Sequence, residues 1–250
     1  MPEFLVTPEG RRIAYERTPG RGPGVVFLGG FRSDMTGTKA QALEDWARAE
    51  GRAFLRFDYS GHGQSSGDFL DGAIGDWAAD ALAAITALTE GPQVLVGSSM
   101  GGWISLLCCK ALGARVAGLV TIAAAPDFTE DAMWAGFDAA QRVQLTRAGR
   151  VELPSEYSDG PYVITRRLIE EGRDQLVLRS PLQLPFPVRF LQGTADVDVP
   201  METALRLLDH AQGPDIRLTL VKGADHRFST PECLALIEAA VADVLARGAA

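Results

Sequence analysis

The stretch Gln93–Leu107, QVLVGSSMGGWISLL, decides the fold. Its first half is a continuous apolar run of strand length, and its second half, from Met100, is apolar and small at helical spacing. Two serines share the junction. Only Ser99 stands at the centre of G-x-S-x-G, in Gly97-Ser98-Ser99-Met100-Gly101. A sharp strand-to-helix turn pushes that one side chain out above a sheet, and glycines two residues away on each side let the backbone pack closely around it. The helix beginning at Met100 points its N-terminal amides toward the same oxygen. The competing reading is a serine that only caps the helix.

Outward from this junction, short apolar runs alternate with helical patterns. GVVFLGGF (Gly24 to Phe31) precedes a helix over Thr38 to Glu50, AFLRFD (Ala53 to Asp58) precedes one over Ala73 to Leu88, and VAGLVTIAAA (Val116 to Ala125) follows the helix Met100 to Leu112. The rhythm returns with VRFLQG (Val188 to Gly193), a helix over Glu202 to Ala211, IRLTLV (Ile216 to Val221) and a last helix over Pro231 to Arg247. Such alternation predicts a parallel sheet with crossover helices. Two weaker N-terminal runs, EFLVT and RRIAYER, read as an antiparallel ribbon at its edge. Between Pro126 and Pro187 the rhythm breaks into amphipathic pieces, TEDAMWAGF and VITRRLIEEG, separated by the turn-rich LPSEYSDGPY. A connection of that length predicts an inserted cap over 126–187, dividing the sheet domain into 1–125 and 188–250.

A serine hydroxyl needs a base, and the chain has three histidines. When a serine sits on such a turn in a parallel sheet, the acid and then the histidine follow it, the histidine on a loop after the last strand. His226, in VKGADHRFS, meets that condition. His62 lies before the serine in a glycine-rich loop and is expected to have a structural hydrogen-bonding role, and His210 ends a helix pattern at the surface. For the acid, Asp196 in FLQGTADVDVP is favoured over Asp198, because it stands three residues after Gly193, where a turn off the strand can aim a carboxylate. Asp198 adjoins Pro200 and could cap the next helix. Asp225 reads as a loop residue. The oxyanion donors are expected to be the amides of Met100 and, from the loop after VVFLGG, Phe31.

Composition narrows the class. A chain of 250 residues, 46% hydrophobic, buries a large core, and a net charge of −8 with a pI near 5.0 argues against nucleic acid as a partner. The N-terminus lacks signal or transit character and no apolar run approaches a membrane span, so the cytoplasm is the expected compartment. Cys108, Cys109 and Cys233 fall within apolar helical patterns, which predicts buried thiols and neither a disulfide framework nor a metal site. FLGGFRSDMTGTKA is not a phosphate-binding loop, since Thr38 separates Gly37 from Lys39 and Ala40 follows the lysine. GRGPG (Gly20 to Gly24) precedes its strand instead of following it. No cofactor is implied. In the cap, Phe128, Met133, Trp134 and Phe137 fall at spacings that gather apolar surface on one side of a short helix. Met133, Trp134 and Phe137 are therefore candidate substrate-binding residues.

From about Val25 to Phe228 the chain resembles the α/β-hydrolase superfamily. GFRSDMTGTKA, RFDYSGHGQSSG, GSSMGGW, PYVITRRLIEEGR, LQGTADVDVP and DHRFS are together similar to its palmitoyl-protein thioesterase branch, which includes mitochondrial depalmitoylases and bacterial relatives. The resemblance implies an α/β-hydrolase fold with a mostly parallel central sheet, helices on both faces and a small helical cap inserted after the sixth strand. It implies Ser99 as nucleophile, Asp196 as acid, His226 as base, and Met100 and Phe31 as oxyanion hole. The substrate implied is an acylated small molecule or S-acylated protein cleaved at a thioester. The alternatives are a carboxylesterase, acyl glucuronides included, an acylpeptide-type hydrolase, or a non-catalytic binder of small molecules.

Overall fold

The computed structural model describes residues 2–153 and 162–248. In chain order, β1 (Glu3–Val6), β2 (Arg12–Thr18), β3 (Arg21–Leu28), α1 (Thr38–Ala49), β4 (Arg52–Phe57) and α2 (Ile74–Leu88) lead to β5 (Gln93–Ser98), α3 (Met100–Leu112) and β6 (Val116–Ile122). The segment that follows holds α4 (Ala139–Ala148), β7 (Arg150–Leu153), β8 (Tyr162–Thr165) and α5 (Arg166–Gly172). The short β9 (Leu182–Gln183) precedes β10 (Val188–Gly193), α6 (Met201–His210), the short β11 (Ala211–Gln212), β12 (Ile216–Val221) and α7 (Pro231–Gly248).

Eight strands form one sheet in the order β1-β2-β4-β3-β5-β6-β10-β12. The β1–β2 and β2–β4 pairs are antiparallel and all later pairs are parallel. The period-two alternation of β-structure sorts the apolar strand residues onto two faces. Val25, Phe27, Val94, Val96 and Val120 meet α1 and α7 through Leu43, Ala47, Ile237 and Val241. Val26, Leu28, Leu95 and Leu119 meet α2, α3 and α6 through Trp77, Ile85, Ile104 and Leu207. Both faces are covered, which is why these strands read as continuous apolar runs. Among the described residues, no helix is long and apolar enough to cross a membrane.

From β3 the chain passes to β4 on one side and then to β5 on the other. The loops leaving the carboxyl ends of β3 and β5 diverge there and open a crevice, the place where open parallel sheets bind ligands. Gly29 to Phe31 and Ser99 stand at those two ends.

The segment 126–187 contains more than helix. VITRRLIEEG is a strand followed by a helix: the β-branched Val163, Ile164 and Thr165 pair with β7 in an antiparallel ribbon, and only then does α5 begin. Thr165 makes the change of structure local, because its hydroxyl accepts a hydrogen bond from the Leu168 amide at 3.1 Å as the helix N-cap. Most of LPSEYSDGPY, residues 154–161, lies outside the described residues. Asp131 ties the segment to the sheet domain through an ion pair with Arg206 of α6.

Candidate active site

Ser99 follows the last residue of β5 with φ 55° and ψ −118°, a conformation unfavourable for a residue with a side chain. Three backbone hydrogen bonds hold it there: Ser99 N–H donates to Ile122 O at 2.9 Å, and its carbonyl accepts from Gly102 and Ala125 at 2.9 and 3.1 Å. The flanking glycines are required by contact. A Cβ on Gly97 would lie 2.3 Å from the Gly101 carbonyl oxygen, and one on Gly101 would lie 2.1 Å from that of Leu28. Ser98 remains in the strand, buried.

His226 leaves the loop after β12 and brings its Nε2 to 3.1 Å from Ser99 Oγ, while Nδ1 lies 2.9 Å from Asp196 Oδ2. With the ring proton on Nδ1 donated to Asp196, Nε2 is the acceptor for the serine hydroxyl. The acid and histidine loops are locked together. Ala195 N–H donates to Ala224 O at 3.0 Å, and Gly193 is glycine because a Cβ there would lie 2.2 Å from the same oxygen. Asp196 also accepts from Gln192 Nε2 at 3.1 Å and from the amides of Asp198 and Val199 at 3.0 and 2.8 Å. Burial alone would raise its pKa. The bonds from His226, Val199 and Gln192, with the attraction of an imidazolium, outweigh burial and leave it below the usual carboxylate value. Asp198 contributes its backbone amide to Asp196 and does not replace it.

Met100 opens α3, whose first-turn amides have no acceptor within the helix. The loop after β3 lies over Ser99, since a Cβ on Gly30 would come within 3.5 Å of the Ser99 Cβ. His62 braces this loop: Nε2 accepts from the Arg32 amide at 3.3 Å, Nδ1 donates to Ser60 O at 3.1 Å, and the ring is buried. Burial pushes the His62 pKa down, which keeps it neutral in this role. Phe31 meets Phe69, Phe128 and Tyr162 as part of an aromatic group.

Ser99, His226, Met100 and Phe31 line one cavity of about 450 Å³. Its lining includes the apolar Phe128, Ala132, Met133, Leu153 and Ile164 and the polar Ser33, Lys39, Asp198 and Arg227. Met133 lines this cavity, and Trp134 and Phe137 do not. The turn over Thr129–Trp134 is a π-helix, whose wider turn breaks the 3.6-residue spacing that grouped these side chains, and Phe137 falls beyond its end. Phe137 is 5% exposed in the core, and the guanidiniums of Arg142 and Arg173 lie 5.0 and 4.9 Å from the centroid of the Trp134 ring. His210 also differs from expectation: its Nε2 donates to Ser180 O at 2.8 Å. The three cysteines are buried, and burial pushes the Cys108 thiol up to about 12, which removes its thiolate at neutral pH. Asp225 is a loop residue that accepts from the Phe228 amide.

A serine on this turn, a histidine and a buried carboxylate in hydrogen-bonded series, and a cavity at the switch point of a parallel sheet define a class of protein. The alpha/beta hydrolase family model matches residues 25–244, and the chain belongs to that family. Within it, the chain is 36% identical to the rat (Rattus norvegicus) protein named palmitoyl-protein thioesterase ABHD10, mitochondrial, over 97% of this chain and 82% of the relative. Identity to the human (Homo sapiens) protein of that name is 34%, over 97% and 79%. Among solved structures, a protein of Agrobacterium vitis S4 superimposes with a TM-score of 0.94 at 39% identity, covering 98% of each chain. The mouse alpha/beta hydrolase domain-containing protein 10 superimposes at 0.92 with 34% identity, again covering 98% of each.

Proposed function

We propose that this protein is a serine hydrolase that cleaves acyl thioesters through a covalent acyl-enzyme. The observation that carries the reading is the continuous series Ser99 Oγ, His226 Nε2, His226 Nδ1 and Asp196 Oδ2, joined at 3.1 and 2.9 Å, with the serine at a cavity lined in part by apolar side chains. His226 takes the Ser99 proton as the oxygen attacks the acyl carbonyl, and the amides of Met100 and Phe31 receive the developing oxyanion. The imidazolium then delivers its proton to the departing sulfur or oxygen. Water, deprotonated by the same imidazole, releases the acid. Asp196 holds the tautomer and offsets the transient positive charge.

The acyl chain fits the wall formed by Phe128, Ala132, Met133, Leu153 and Ile164, and the similarity to proteins named palmitoyl-protein thioesterase supports a fatty acyl thioester over a short-chain ester. The test is turnover of fatty acyl thioesters together with labelling by a fluorophosphonate. Wild type should do both and Ser99→Ala neither. A folded wild-type protein that takes no label would contradict the reading and favour a binding role.

A further inference from the structure

Resting on that reading, we infer that the leaving-group side of the cavity is an anion subsite built on Lys39, so that the preferred substrate is an acyl ester or thioester whose departing alcohol or thiol carries a carboxylate or phosphate. The protein as a whole is acidic, at −8, yet the described lining of this cavity includes Lys39. Lys39 reaches from the first turn of α1 to the histidine loop, where Nζ donates to the Arg227 carbonyl. An ammonium has three N–H donors, and this bond uses one. No carboxylate lies within ion-pair distance of Lys39 among the described residues. Burial pushes its pKa down, against the attraction of the more distant Asp225. A half-buried cation held this way gains from an arriving anion more than a fully solvated surface lysine does.

The side of the cavity follows from the chemistry. His226 must protonate the leaving atom, so the leaving group departs past His226, and Lys39 bonds to the residue that follows His226 in the chain. The apolar wall is left for the acyl chain. Lys39 is thus a specificity-determining residue that selects the leaving group by charge.

The experiment compares kcat/KM for one acyl chain on pairs of thiols that differ by a charge. N-acetylcysteine is set against N-acetylcysteinamide for a carboxylate, and 4′-phosphopantetheine against pantetheine for a phosphate. The wild type should prefer the anionic member of at least one pair by about ten-fold or more, and the pair that shows it identifies the anion. Lys39→Arg should keep the preference, Lys39→Met should bring it to about one, and Lys39→Glu should invert it. Because the readout is a ratio within each protein, an overall loss of activity or stability does not mimic the result. Equal turnover of both members of both pairs by the wild type would overturn the subsite and leave the hydrolase reading intact. Failure to cleave any of the four would overturn the hydrolase reading itself.

Discussion

Replacing Ala132 by Trp should shorten the acyl chain the enzyme accepts. Ala132 lies on the apolar wall of the cavity beside Met133 and is itself exposed, so an indole there fills cavity and not core. An indole carries roughly 150–250 Å² of surface, and if about half of it replaces wall that an acyl chain would cover, ~100 Å² of apolar burial is lost. At ~25 cal/mol/Å² that is about 2.5 kcal/mol, on the order of 70-fold in kcat/KM for a palmitoyl substrate. An acetyl substrate does not reach the wall and should change less than about three-fold. The assay is kcat/KM for one leaving group across acyl chains from two to sixteen carbons. Wild type should gain about four-fold per methylene, at ~0.8 kcal/mol each, until the wall is covered, and Ala132→Trp should reach its plateau earlier. Phe137→Ala is the control: it opens a core cavity and should cost roughly 3–5 kcal/mol of stability while leaving the slope with chain length unchanged. Parallel loss on acetyl and palmitoyl substrates in Ala132→Trp, or a flattened slope in Phe137→Ala, would refute the assignment of the wall.

Asp196→Asn should lower kcat by about four orders of magnitude, because an amide nitrogen facing Nδ1 favours the wrong imidazole tautomer. Asp198→Asn keeps the backbone amide that bonds Asp196 and should cost less than about ten-fold; steady-state rates in the opposite ranking would move the acid by two residues. His62 is held neutral by burial, so its folded pKa lies below an unfolded value of about 6.5 and the unfolded chain takes up the proton first. Its contribution is complete above pH 6.5 and is lost as pH falls from there through the lowered folded pKa, by up to ~1.4 kcal/mol per pH unit. Urea unfolding at pH 7.5, 6.5 and 5.5 should show that slope in wild type and a shallower one in His62→Gln, whereas parallel slopes would remove His62 as its source.

The central strands were legible because they are buried on both faces. VRFLQG is buried at every residue, and β10 begins and ends where that run does. The nucleophile was legible for a steric reason, since Gly97 and Gly101 are glycines that backbone contacts at 2.3 and 2.1 Å require. Chain order picked out His226. The inserted segment was harder to read, because helical spacing assumes 3.6 residues per turn and the chain between Thr129 and Trp134 winds more widely. The strand β8 was missed because Val163 and Ile164 also fit an amphipathic helix, and only β-branching argued otherwise. Lys39 drew notice only as a failed phosphate-loop lysine. Its place beside the His226 loop depends on a contact across 188 residues, which no local pattern records.

The central claim is that Ser99 becomes acylated. Wild-type protein mixed with a palmitoyl thioester, quenched in acid within the first turnover and digested should yield the palmitoyl mass on the peptide containing Ser99. Fragmentation should place it on Ser99 and not Ser98, with Ser98→Ala retaining the adduct and Ser99→Ala losing both adduct and turnover. Palmitate found on another residue, or hydrolysis that persists at the wild-type rate in Ser99→Ala, would contradict the account.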